Sequence, residues 1–265
     1  MTDPQLVPSP IQGGSGYWGR HSEYEALTRQ LAEMELELAT LESRLTAFQK
    51  TYTRSVGVLF AELDQLEKAI SWELFRLNPD AKHRQGYKEA KRKARASQEA
   101  INEDLEKTEK AFAPSEELKR LYRKVAKAVH PDLATSELER PYRTSLMARA
   151  NQAYRNGDME ALEQILQEWE HRDEASIFKE RQPTQSYQLQ QKIIQIRLRI
   201  KEIEGKIDQL RGSELYRLMV KVEQARQEGR DLLGEMARDL RYRIREAKVL
   251  LDNLRMKEGI GCYER

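Results

Sequence analysis

Strict three-four spacing of leucine and isoleucine over two long stretches predicts an all-α protein. Between them lies a short helical segment broken at His130-Pro131-Asp132. Composition agrees with this class. Of 265 residues, 39% are hydrophobic and 34% charged, and the mean hydropathy is -0.82. Apolar side chains are too sparse for a wide globular interior and sufficient for narrow helical seams.

Lys and Arg number 46 against 44 Asp and Glu, a formal net charge of +2. That balance argues against a nucleic-acid partner, and the interspersed signs fit solvated helices. A single cysteine, Cys262, excludes an internal disulfide and fits a reducing compartment, while His21, His83, His130 and His171 show no metal-ligand spacing. The first fifteen residues carry no basic-then-apolar signal pattern, and no apolar run reaches membrane-spanning length. A soluble cytoplasmic protein without a membrane partner is the expectation. No nucleophile-base set, metal cluster or phosphate loop is present in the sequence, so neither an enzyme nor a cofactor is expected.

Residues 1–20 contain Pro4, Pro8, Pro10, Gly13, Gly14, Gly16 and Gly19, a composition that reads as a flexible tail, with Tyr17 and Trp18 available to dock. From residue 21 to 78 one long helix is expected. Its seam runs Leu27, Leu31, Met34, Leu38, Leu41, Leu45, Phe48, Tyr52, Val56, Leu59, Leu63, Leu66, Ile70, Leu74 and Leu77. The consecutive four-residue steps Phe48, Tyr52, Val56 are a stutter that locally relaxes a supercoil. Asn78-Pro79-Asp80 ends this helix, and Pro79 is placed to open the next. Residues 79–112 form a thin, polar connecting helix. Its basic bunch Lys88, Lys91, Arg92, Lys93 and Arg95 is compensated by Glu99, Glu103, Asp104 and Glu106.

The central segment, 113–170, carries three short helices. Ser115 caps the first, with Glu116 and Glu117 in the first turn, where the helix dipole favours them. Leu118, Leu121, Val125 and Val129 fall on one face, and Arg120, Arg123, Lys124 and Lys127 on the other. Proline cannot continue this helix, so His130 and Asp132 are expected at an exposed corner. A second helix, Glu139 to Arg155, turns Tyr142, Leu146, Ala150, Ala153 and Tyr154 inward. Asn156-Gly157-Asp158 then ends one helix and caps a third, which carries Met159, Leu162, Ile165, Leu166 and Trp169.

After a linker over 171–186, residues 187–258 restore the heptad as Leu189, Ile193, Ile196, Ile200, Ile203, Ile207 and Leu210. The phase slips at Gly212, and the spacing lengthens toward an eleven-residue repeat beyond Gly229. Residues 259–265 are a frayed tail.

The run from Leu118 through Lys119, Arg120, Leu121, Tyr122, Arg123, Lys124, Val125 and Ala126, then His130-Pro131-Asp132, then Asn151, Ala153 and Tyr154, resembles the second helix, loop and third helix of the J-domain of DnaJ-like co-chaperones. The likeness covers about residues 115–156. It implies that His130, Pro131 and Asp132, with Arg120, Arg123, Lys124 and Lys127, bind a DnaK-type chaperone of the seventy-kilodalton class and stimulate its ATP hydrolysis. The usual first helix, with its Tyr-Tyr-x-x-Leu-Gly pattern, is absent. Ile101, Leu105 and Phe112 are the candidates to replace its packing. Glycine/phenylalanine-rich and zinc modules are also missing, which leaves the coiled coils for targeting or oligomerisation. The architecture expected is a long antiparallel coiled coil flanking a small J-like module, with the seams meeting within one chain or across a dimer. A coiled-coil scaffold or adaptor with a vestigial hairpin is the alternative.

Overall fold

The computed structural model describes residues 14–105, 112–134, 136–171 and 185–261, and every regular element among them is helical. Residues 14–77 form α1 (Gly14–Tyr52), a π-helical turn (Thr53–Gly57) and α2 (Val58–Leu77); α3 (Ala81–Leu105) follows. The central module contains α4 (Glu116–Val129), a 3-10 turn (Pro131–Leu133), α5 (Glu139–Asn156) and α6 (Met159–Glu170). The C-terminal part is α7 (Gln185–Arg211), α8 (Glu214–Gln227) and α9 (Leu232–Gly261). The expected tail over residues 1–13, most of the 171–186 linker, Cys262 and the last residues lie outside the described residues.

Several boundaries differ from the sequence expectation for identifiable reasons. Helix α1 begins at Gly14 rather than near residue 21. A glycine costs about 1 kcal/mol in a helix interior but does not terminate one that a long seam already sustains. The stutter at Phe48, Tyr52 and Val56 is realised as the π turn, whose extra residue absorbs the phase change. Asp80, not Pro79, starts α3: its Oδ1 accepts the His83 backbone N–H at 2.8 Å. The C-terminal stretch is three helices. Ser213 caps α8 by accepting the Tyr216 N–H, and Gly229, at φ 76°, breaks the chain before α9. That left-handed conformation suits glycine, as does φ 70° at Gly157 after α5.

The chain divides into two compact units. One comprises Met1–Ser43 with Phe112–Arg211 and the other Arg44–Ala111 with Gly212–Arg265. In the first unit, Glu23 pairs with Arg197 and Glu37 with Arg211, the latter at 2.6 Å. In the second, Arg44 pairs with Glu223 at 2.7 Å, Glu62 with Lys248 at 2.8 Å and Glu73 with Arg255 at 3.5 Å. Within each unit later residues meet later residues, so the N-terminal and C-terminal helices run parallel. This overturns the antiparallel expectation. A heptad states that a helix has a partner stripe and leaves the partner's direction open; here the central module returns the chain to the start of α1 before α7 begins. The partners are found within one chain.

The second unit also contains the hairpin of α2 and α3. Lys93 reaches Asp64 at 2.9 Å and Glu67 at 3.1 Å, and the rings of Trp72 and Tyr87 lie 5.1 Å apart. Ile101 is buried in this unit and is not among the core residues of the first.

The core of the first unit shows how the hairpin of α4 and α5 is held. Leu118, Tyr122, Val125, Ala126 and Val129 of α4 meet Leu146, Met147, Ala150, Ala153 and Tyr154 of α5 and Leu162, Ile165, Leu166 and Trp169 of α6. The remaining side is filled by Ala32, Leu36 and Ala39 of α1. Phe112 packs edge-on to Tyr154 at 5.5 Å, as expected, but α1 supplies the layer. Tyr122 replaces Leu121 at the centre of the α4 face; Leu121 is only partly buried. Helix α1 is thus buried on two sides, because its leucine seam, Leu31, Leu38, Leu41 and Leu45, is buried as well. On α7, Ile193, Ile196, Ile200, Ile203 and Ile207 are all buried. At about 1.5–3 kcal/mol per fully buried isoleucine, this stripe anchors α7 firmly.

Truncating Leu36 to Ala should lower unfolding stability by about 2–4 kcal/mol in a urea titration. The same truncation at Leu198, 60% exposed on α7, should stay within about 0.5 kcal/mol. Equal effects of the two would refute the role of α1 in the module core.

Candidate functional site

The candidate site is the turn between α4 and α5, together with the outer flank of α4. Ser115 caps α4 by accepting the Leu118 N–H at 3.1 Å. The chain leaves the helix at His130 (φ -58°, ψ 132°), as the residue before proline must. Leu133 N–H to His130 C=O, at 3.0 Å, and Ala134 N–H to Pro131 C=O, at 3.1 Å, close the 3-10 turn.

His130 is not at an exposed corner, contrary to the sequence expectation. It is 1% exposed. The Asp132 backbone N–H donates to His130 Nδ1 at 3.1 Å, so the proton of the neutral ring sits on Nε2. Nε2 then donates to Glu35 Oε1 at 3.0 Å. Glu35 of α1 is itself buried and also accepts from Arg199 of α7, through Nη2 at 2.9 Å and Nε at 3.2 Å. Burial works against the Glu35 charge, but the His130 hydrogen bond and the Arg199 charge and hydrogen bonds outweigh it. They hold the carboxyl below the usual glutamate range. The physical reason for the burial is that a proline-broken turn fits beneath α1 and α7, and α7 packs directly on the Pro131–Leu133 turn.

Arg143 fixes the turn from the other side. Its Nη1 donates to the Ala128 carbonyl at 2.8 Å and the His130 carbonyl at 3.3 Å, and its Nε to Glu139 at 2.7 Å. Its guanidinium lies 4.2 Å from the centre of the Trp169 ring. The hairpin is further tied by Tyr122 Oη donating to Asn151 Oδ1 at 2.5 Å and by the Tyr122–Tyr154 ring pair at 4.6 Å. Burial pushes the Tyr122 hydroxyl well above its ordinary value. Both tyrosines act as hairpin aromatics.

The other expected residues divide into two groups. Arg120, Lys124 and Lys127 are exposed on the outer flank of α4 and form no ion pair among the described residues. Arg123 is instead half-buried and paired with Glu33 of α1 at 2.8 Å. Pro131 is half-buried. Asp132 has a side chain 19% exposed, facing Arg140 at 3.7 Å and Arg199 at 4.0 Å. Turn and basic flank therefore lie together, but only part of the set is open to solvent.

Sequence reasoning missed Glu35, Arg199, Arg143 and Glu139. One signal existed: Thr28, Ala32, Ala39 and Ser43 place small residues on a second side of α1, and Glu35 lies within that run. Arg199 carries no such mark. Among the described residues no cluster of His, Cys, Asp or Glu is placed to hold a metal ion, and no helix is long and apolar enough to cross a membrane.

The fold and site together define an all-α protein in which parallel helices carry a three-helix module with a clamped His-Pro-Asp turn. Comparison of the chain with protein-family models, curated proteins and solved structures finds no match to any of them.

Because Glu35 titrates lower in the folded chain than in the unfolded one, the unfolded chain binds its proton more tightly. The stability it confers is complete above the ordinary glutamate value of about 4.3 and is lost as pH falls through the folded-state value. Glu35→Gln should therefore flatten the acid limb of the stability curve below about pH 5. Acid limbs that superimpose would remove Glu35 from the response.

Proposed function

We propose that the chain is a J-type co-chaperone that docks on a DnaK-type ATPase through the outer flank of α4 and the adjoining turn, and stimulates ATP hydrolysis by that partner. The observation that carries this reading is the continuity of three exposed cations that form no ion pair among the described residues, Arg120, Lys124 and Lys127, with the His130-Pro131-Asp132 turn. Such a stripe steers and registers an acidic surface, giving encounter rate and orientation more than raw affinity. The reaction chemistry belongs to the partner. The chain contributes a shaped contact, with Arg143 and Glu35 acting as positioning residues behind it.

A second reading is favoured by one specific observation. His130 spends both ring nitrogens inside the protein, on Asp132 N–H and Glu35, as a structural staple would. In that reading the chain is a scaffold or adaptor whose helical seams do the binding, and the hairpin is a packed structural part.

A single-turnover ATPase assay with a DnaK-type chaperone separates the two. The full chain should accelerate hydrolysis. A double Lys124→Glu, Lys127→Glu variant should lose most of that acceleration with its helical content and melting temperature unchanged, since both residues are exposed. His130→Gln should lose it together with some stability, because the replaced ring is buried. Absence of any acceleration by the wild-type chain would leave the scaffold reading standing.

A further inference from the structure

Resting on that docking role, we infer that Arg199 of α7 is a built-in clasp that keeps the His-Pro-Asp turn closed, and that its side chain sets how readily a partner reaches Asp132. Three features lead to it. Arg199 bridges two carboxylates: it donates twice to Glu35, at 2.9 and 3.2 Å, and stands 4.0 Å from Asp132. Glu35 is the acceptor for His130 Nε2, so one guanidinium stands beside both acidic groups that contact the His130 ring. Helix α7 also lies directly on the Pro131–Leu133 turn.

The movable part is the side chain, not the helix. Ile193, Ile196, Ile200, Ile203 and Ile207 are all buried, and lifting α7 would expose them together. The Arg199 side chain is 27% exposed and needs only a rotamer change to leave Asp132. On the opposite side Asp132 faces Arg140, 3.7 Å away and 39% exposed. Asp132 thus lies between two arginines, neither within hydrogen-bond distance, and a partner cation must compete with both. Among the described residues the charged groups around the turn are Glu35 from α1, Arg140, Arg143 and Glu139 from α5, and Arg199 from α7, with Glu202 paired to Arg199 at 3.3 Å and Glu137 to Arg140 at 3.8 Å. Lys192, half-buried on α7, lies farther along that helix, near Arg143 and Glu139.

The test uses the full chain and two variants. Arg199→Met keeps the apolar stem and removes the guanidinium. Arg140→Gln frees the other side of Asp132 and takes no bond from Glu35. Amide hydrogen exchange over residues 132–134 should speed up by about two- to fivefold in Arg199→Met, with α4 and α5 protection retained, which is the scale of a partly exposed ion pair. In the ATPase assay the concentration of the Arg199→Met chain giving half-maximal stimulation should fall by a similar factor, and Arg140→Gln should shift it in the same direction. Unchanged exchange at the turn overturns the clasp. So does stimulation by the wild-type chain with an unaltered half-maximal concentration in both variants, in which case the docking role survives. No stimulation by any of the three chains ends the docking role, and the clasp on it with it.

Discussion

The buried carboxylate of Glu35 is the constraint on which the first unit depends. A charge taken out of water costs several kcal/mol unless it is paired and hydrogen-bonded, and Glu35 meets that cost with the His130 ring and two donors of one guanidinium. Those partners belong to the turn after α4 and to α7, while Glu35 itself belongs to α1. One acceptor therefore fixes three segments distant in sequence. Removing any one partner strands the others, so the network specifies the arrangement more than it stabilises it.

Around this point α1 performs two tasks. Its leucine seam is buried, and its small residues let it approach the module closely, with Ala32, Leu36 and Ala39 in the same core as Tyr122 and Leu162. Thr40 joins in by a 2.8 Å hydrogen bond to the Tyr154 hydroxyl. A two-helix hairpin with a short third helix has too little apolar area to stand alone, and a long helix from outside the module supplies what is missing. The same helix covers His130, so the support of the module and the closure of its turn have one cause.

This coupling bears on function. In the proposed docking role the basic flank of α4 is ready for a partner, whereas the His130 ring of the turn is held inside by groups that occupy both its nitrogens. An acidic partner surface would meet Arg120, Lys124 and Lys127 first and reach Asp132 only by displacing arginine contacts. Encounter and commitment then become separate steps, the first governed by long-range charge and the second by short-range exchange of ion pairs.

Much of the secondary structure was legible in the sequence because it depends on local rules. Heptad spacing marked the long helices, Ser115 and Asp158 marked helix starts through their side-chain caps, Gly157 marked a stop, and the stutter at Tyr52 marked the π turn. The basic flank of α4 was legible for the same reason, since a helical period places residues 120, 124 and 127 together. The sequence by itself determined that the chain is helical, where most of its elements lie, and that a proline-broken turn follows a basic face. Only the tertiary structure decided that the N- and C-terminal helices run parallel, that α1 completes the core of the module, and that Glu35 and Arg199 enclose His130. These contacts join residues 95 and 164 positions apart, and no local period encodes a pairing over such distances. Their selection comes from the summed burial of seams and the need to satisfy a buried charge, which exist only once the segments have met.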